Sequence, residues 1–187
     1  MKVLGIMGSP RIKGNTDRLL DQALKGAADA GAAVEKITVD KLGIGPCKEY
    51  YGCLKDGNCV IRDDMDAIYP KLLEADAVIV AAPMFFYAVP AQLKALIDRS
   101  QATWARRYVL KNLPEEGHRG AFIGVGATRG EHLFDGAIMT IKYFFKAINV
   151  HYAAELLIRG VDQRGEIEDH PDDLRAAYEM GKNLGAG

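Results

Sequence analysis

Three short stretches of this sequence carry side chains that could do chemistry. The first, Gly8-Ser-Pro-Arg-Ile-Lys-Gly-Asn-Thr16, follows the apolar run Val3–Met7 and gathers the Ser9 and Thr16 hydroxyls, the Asn15 amide, the Arg11 guanidinium and Gly14. A small, polar, partly basic loop between a buried strand and a helix turns backbone N–H groups toward one point, which suits a phosphate. The second, Ala82-Pro-Met-Phe-Phe-Tyr-Ala-Val-Pro90, places flat side chains where another apolar run ends. Such rings can pack beside a planar cofactor while backbone amides meet its polar edge. The third, Gly126-Ala-Thr-Arg-Gly130, allows close backbone approach to a ring or substrate. Each also has a plain reading. Ser-Pro forms turns and Asn15 or Thr16 caps helices, while aromatic rings close cores or subunit contacts.

Motif spacing narrows the ligand of the first loop. A P-loop has four residues between its glycines and a Lys-Ser/Thr pair after them, whereas Gly8 and Gly14 enclose five and Asn15 follows. The glycine fingerprint of dinucleotide folds is missing too, because Gly5 and Gly8 have no matching third glycine. A monophosphate pocket remains. Ser9 lies in no Gly-x-Ser-x-Gly elbow, which argues against a hydrolase. His118, His132, His151 and His170 are scattered without ligand spacing, and no catalytic side chain or histidine metal site is assigned. The pairs Asp63-Asp64 and Asp172-Asp173 precede helical patterns and read as caps.

These loops need a scaffold, and the hydrophobic pattern supplies one. Strands are expected at Val3–Met7, Val34–Val39, Ala77–Ala82, Ala121–Val125 and Val150–Leu157, mostly continuous apolar runs of the kind buried on both faces. Helical spacing appears over 19–28, 65–73, 90–97, 133–148 and about 172–184. Alternating strands and helices predict an α/β fold: a five-stranded parallel sheet covered on both faces, a three-layer sandwich. Ligands of such sheets lie beyond the carboxyl ends of the strands, which is where all three loops fall. The 187 residues, 49% hydrophobic, suit one domain over 1–187 with a Cys-containing insertion at about 41–63 that should project from the sheet edge. A net charge of −1 offers no general attraction to nucleic acid or to an anionic membrane. With neither a long apolar span nor a signal-peptide pattern, a soluble, cytoplasmic protein is the expectation.

The first loop, Asp63-Asp-Met-Asp-Ala-Ile-Tyr69 and the continuous stretch Ala82 to Arg99 together resemble the NADPH-dependent FMN reductase and iron-sulfur flavoprotein family. The resemblance covers most of the chain. It implies a flavodoxin-like fold with strand order 2-1-3-4-5, FMN as cofactor, and NADPH or NADH as electron donor to an acceptor of unknown identity. By the same resemblance Ser9, Arg11, Gly14, Asn15 and Thr16 would surround the phosphate. Pro83, Met84, Phe85 and Phe86 would border the isoalloxazine, and Ala127, Thr128, Arg129 and Gly130 would form a third wall. It further implies a homodimer or homotetramer, with Trp104, Arg106 and Arg107 as candidates for a neighbouring subunit. An electron carrier that binds FMN without oxidising NAD(P)H itself is the alternative.

Cys47, Cys53 and Cys59 bear on the branch of that family. Its iron-sulfur members use a compact four-cysteine motif for a [4Fe-4S] cluster, and here Tyr50 stands at the second ligand position. Tyrosine is a poor substitute for a soft thiolate, so the sequence favours a cluster-free protein. A three-cysteine metal site or a disulfide stays open at this level.

Overall fold

The computed structural model describes residues 1–114 and 117–187. Its centre is a parallel sheet of β1 (Lys2–Met7), β2 (Ala33–Thr38), β3 (Ala77–Pro83), β4 (His118–Gly126) and β5 (Val150–Arg159), ordered 2-1-3-4-5. This is the expected flavodoxin-like order. Four main helices connect the strands, α1 (Asn15–Asp29), α2 (Met65–Glu74), α3 (Ala91–Arg99) and α4 (Asp135–Ala147), and a fifth, α5 (Pro171–Gly185), follows β5. Among the described residues no helix is long and apolar enough to cross a membrane.

Strand alternation divides the core into two layers. Leu4 and Ile6 of β1, Val78 and Val80 of β3 and Phe122 of β4 meet Met65, Leu72, Leu93, Leu96, Ile141, Phe144 and Phe145 from α2, α3 and α4. Val3, Met7, Ile79, Ile123 and Val125 face the opposite way, onto Leu19, Leu20, Ala23 and Leu24 of α1 and Ala177 and Leu184 of α5. Helices α1 and α5 touch backbone to backbone. A Cβ at Gly181 would lie 1.7 Å from the Ala23 carbonyl oxygen, and one at Gly26 would lie 2.0 Å from that of Tyr178.

The expectation of strands buried on both faces holds at the centre and fails at the edges. β3 is buried over its first six residues, whereas β2 and β5 alternate or stay half open because each has a neighbour on one side only. Strand β5 also runs two residues past Leu157, and Val39 has left β2 for a 3₁₀ turn, Val39–Lys41. The pattern missed one-turn helices at Cys53–Asp56 and Gln101–Trp104, the π-helical turn Ala105–Val109 and a 3₁₀ turn at Glu166–Asp169. Segments this short have no periodicity to read.

The insertion after β2 is anchored to the body of the fold through α3. Arg99, whose side chain has no exposed surface, donates from Nη1 to Asp63 Oδ2 at 2.5 Å and to the Gly45 carbonyl at 3.0 Å, and from Nη2 to the Ile61 carbonyl at 3.1 Å. Asp63 also accepts the Gly45 and Met65 amides, while Asp64, the N-cap residue of α2, makes no side-chain cap bond and accepts Gly43 N–H. Burial works against the Asp63 charge, but Arg99 and these amides outweigh it and hold the carboxyl below its ordinary range. Arg106 closes the far end through Gly57 O and Asn58 Oδ1. It is thereby engaged within its own chain.

Candidate functional site

β1 delivers the chain into the first loop at a fixed place, since Gly8 N–H continues the ladder by bonding Ala81 O at 2.8 Å. Ser9 is buried, and its Oγ accepts the Arg11 amide at 3.1 Å, forming a tight turn. A second bond, Gly14 N–H to Arg11 O, brings the chain to the start of α1. Gly14 is the N-cap and no side chain caps the helix. The first-turn amides, which have no partner within a helix, stand where Gly14, Asn15 and Thr16 line a cavity. Fifteen residues of aligned peptide dipoles stand behind them.

Asp17 in this turn would repel an anion if it faced the cavity. Its carboxylate instead accepts Lys13 N–H at 2.6 Å and pairs with Lys36. Burial presses Lys36 toward its neutral form, yet Asp17 and Asp21 prevail and raise its pKa. The acid is thus compensated on the side away from the cavity.

The cavity, about 80 Å³, is lined by Ser9, Arg11, Gly14, Asn15 and Thr16 at one end and by Pro83, Met84, Phe85, Val125 and Ala127 at the other. Met84 is held there by its amide bond to Val125 O at 2.8 Å. The space has a polar end with anion-directed donors and an apolar end opening at the rim. That is the division a flavin mononucleotide requires, and the residues fit it.

Not every expected residue joins this site. Asn15 lines the cavity, but its side chain serves the chain after β5: Nδ2 donates to Gln163 O at 2.8 Å, and Oδ1 accepts the Gly165 and Ile167 amides at 3.0 and 3.2 Å. Its amide is therefore committed, and its backbone N–H is what it can offer a phosphate. Phe86 does not line the cavity. It stands wholly in solvent, 103% exposed, because left-handed backbone at Phe86 and Tyr87 turns the ring outward. Of the third wall only Ala127 lines the cavity; Thr128, Arg129 and Gly130 do not.

Two lining residues, Val161 and Asp162, come from a loop the sequence reading passed over. Gly160 and Val161 both donate to Gly126 O, and Asp162 and Gln163 N–H bond the Glu166 carboxylate at 2.8 Å. These two amides hold the Glu166 pKa down. Gly160 at φ +75, directly after an apolar strand, was the available signal.

The chain matches the family model described as NADPH-dependent FMN reductase over residues 1–154. The chain belongs to this family. Members are oxidoreductases, and FMN is the cofactor the family name and the site's chemistry share. The chain is 37% identical over 151 residues to an iron-sulfur flavoprotein of Methanosarcina thermophila, covering 81% of this chain and 74% of the relative. It is 36% identical over 185 residues to one from Archaeoglobus fulgidus, covering 98% of this chain and 79% of the relative. Among solved structures, an NAD(P)H:quinone oxidoreductase from Methanothermobacter marburgensis superposes with a TM-score of 0.77 at 16% identity, covering 98% of this chain and 96% of the other. At that identity the likeness is one of fold.

The relatives' name raises the question of a cluster, and the donors here do not fit one. A [4Fe-4S] cluster takes four thiolates. Cys47, Cys53 and Cys59 are free thiols, and Tyr50 between them is 63% exposed. Among the described residues no group of three or more His, Cys, Asp or Glu side chains converges well enough to hold a metal ion. Burial, with the neighbouring thiols, raises the Cys53 pKa.

Proposed function

We propose that this family member is an FMN-dependent oxidoreductase that takes electrons from NADPH or NADH and passes them to a small-molecule or protein acceptor. The observation that carries the reading is the uncapped start of α1, facing a cavity whose other end is apolar and open. Backbone amides of the first turn and the Ser9 and Thr16 hydroxyls would hold the phosphate, with Arg11 adding charge from the rim. Pro83, Met84, Phe85 and Ala127 would seat one face of the ring. When bound, FMN supplies a ring that accepts a hydride and can release electrons in a separate step. The protein's task is alignment: fixing the ring so that nicotinamide C4 approaches from the open side, with no side-chain nucleophile.

Pairing of two copies belongs to the same reading. Trp104, Tyr108 and Val109 leave apolar surface exposed on one short segment, with the Trp104 and Tyr108 rings 5.7 Å apart. The second reading, an electron carrier that does not oxidise NAD(P)H, is favoured by the relatives named for iron-sulfur flavoproteins. Anaerobic titration of the FMN-loaded protein with NADPH and with NADH separates the two. Bleaching of the flavin band at one equivalent supports the reductase. A flavinated protein that neither nucleotide reduces would overturn it and leave the carrier.

A further inference from the structure

Cys53 and Cys59 stand on the two arms of one small closed loop within the insertion. The loop shuts at its neck, where a Cβ on Gly52 would fall 2.3 Å from Val60 Cγ1. Inside the neck, the one-turn helix Cys53–Asp56 ends at Gly57, whose N–H bonds Cys53 O at 2.8 Å and whose φ of +80 turns the chain back. Asn58 N–H bonds Asp56 Oδ1 at 2.9 Å, and Arg106 clamps the tip through Gly57 O at 2.9 Å and Asn58 Oδ1 at 2.7 Å. Cys53 follows Gly52 and Cys59 precedes Val60, so the contact at the neck sets the two cysteines opposite each other. Cys59 is accordingly the charge that acts most strongly on Cys53, ahead of Cys47. All three thiols are free and half-buried. Their surroundings differ. Cys59 interacts with the Tyr69 hydroxyl, which donates to Arg99 O at 2.9 Å, and with the buried Arg99 guanidinium. Around Cys53, burial and the charges of its neighbours outweigh a backbone hydrogen bond and oppose the thiolate.

We infer that Cys53 and Cys59 form an oxidative-modification site, a dithiol that a hydroperoxide converts to a disulfide. The site stands apart from the cavity and does not depend on its cofactor. Cys59 reacts first, since the surroundings of Cys53 oppose the thiolate that attack requires. The Cys59 sulfur bonds to one peroxide oxygen, the O–O bond breaks, and the departing oxygen takes up the Cys59 proton, leaving a sulfenic acid. The Arg99 charge offsets the negative charge that builds on that oxygen. The Cys53 sulfur then attacks the Cys59 sulfur. The S–S bond forms, the S–O bond breaks, and the hydroxyl leaves as water with the Cys53 proton. Each sulfur gives up one electron and the O–O bond takes the pair, so two thiols and ROOH yield a disulfide, ROH and water.

The test treats the full-length protein, prepared without oxygen, with an equimolar amount of hydrogen peroxide and counts free thiols with a chromogenic aryl disulfide. The count should fall from the three cysteines of the chain to one, peptide mapping should join Cys53 to Cys59, and dithiothreitol should restore all three. Cys47→Ser should lose its two remaining thiols at the wild-type rate. Cys53→Ser should stop at a sulfenic acid on Cys59 that dimedone traps, whereas Cys59→Ser should be labelled at Cys53 about tenfold more slowly. A disulfide that includes Cys47, or three thiols surviving the peroxide, would overturn the inference. Equal dimedone labelling in the two variants would overturn the assignment of Cys59 as the attacking sulfur. Iron held by these thiols in the oxygen-free preparation would overturn the site as a whole. Should a serine variant not fold, the peptide map of the wild-type protein decides between the pairs.

Discussion

Asn15 illustrates how a residue can be found by its position and misread in its role. Its place after a glycine at a helix start marks it for a phosphate, but its side chain joins the loop after β5 to α1. Asn15→Ala would strand the Gly165 and Ile167 amides and is expected to cost about 2 to 3 kcal/mol, read as a lower urea midpoint at constant slope. Arg99→Met should cost about 3 kcal/mol, because it leaves Asp63 without the guanidinium that offsets its burial. Arg99 lies far in sequence from the insertion it anchors, so no local pattern could reveal it. Glu166 gives the pH dependence. Its folded pKa is lowered, so its contribution is present above the ordinary glutamate value of about 4.3 and is lost as pH falls through the lower folded value. FMN affinity should therefore decline with acid over that window, through loosening of 161–163, and the decline should be weaker in Glu166→Gln. Fluorescence titration against pH checks this.

At the level of elements, the central strands and the five main helices were legible because burial imposes a period. The edge strands were less so. β5 alternates as a one-sided strand does, and its extra residues up to Arg159 carry the backbone that completes the cavity. The contact between α1 and α5 was also hidden, since glycines leave no hydrophobic signature. Gly181→Ala forces a methyl group against the Ala23 backbone, which cannot yield as a side chain would. The expected loss is about 3 kcal/mol, a fall in Tm of about 6 to 12 °C, measured by calorimetry. Gly31→Ala is the contrast: its Cβ would meet nothing within 4 Å, and only its φ of +94 opposes the change.

For the whole molecule, strand order fixes where chemistry can occur. The ends of β1, β3 and β4 lie side by side in the sheet, so loops distant in sequence converge on one cavity. That convergence could be anticipated from alternating strands and helices. The direction of Phe86 could not, since it follows from two backbone angles that the residue types themselves disfavour. Nor could the contribution of Val161 and Asp162, which depends on backbone bonds to Gly126 and Glu166. In the proposed function the start of α1 grips the phosphate of a flavin. Comparing FMN with riboflavin, which lacks only that phosphate, by quenching of flavin fluorescence tests it most directly. FMN should bind tighter by about a hundredfold, the equivalent of two charge-assisted hydrogen bonds at about 1.5 kcal/mol each. Equal affinity for the two flavins would contradict it.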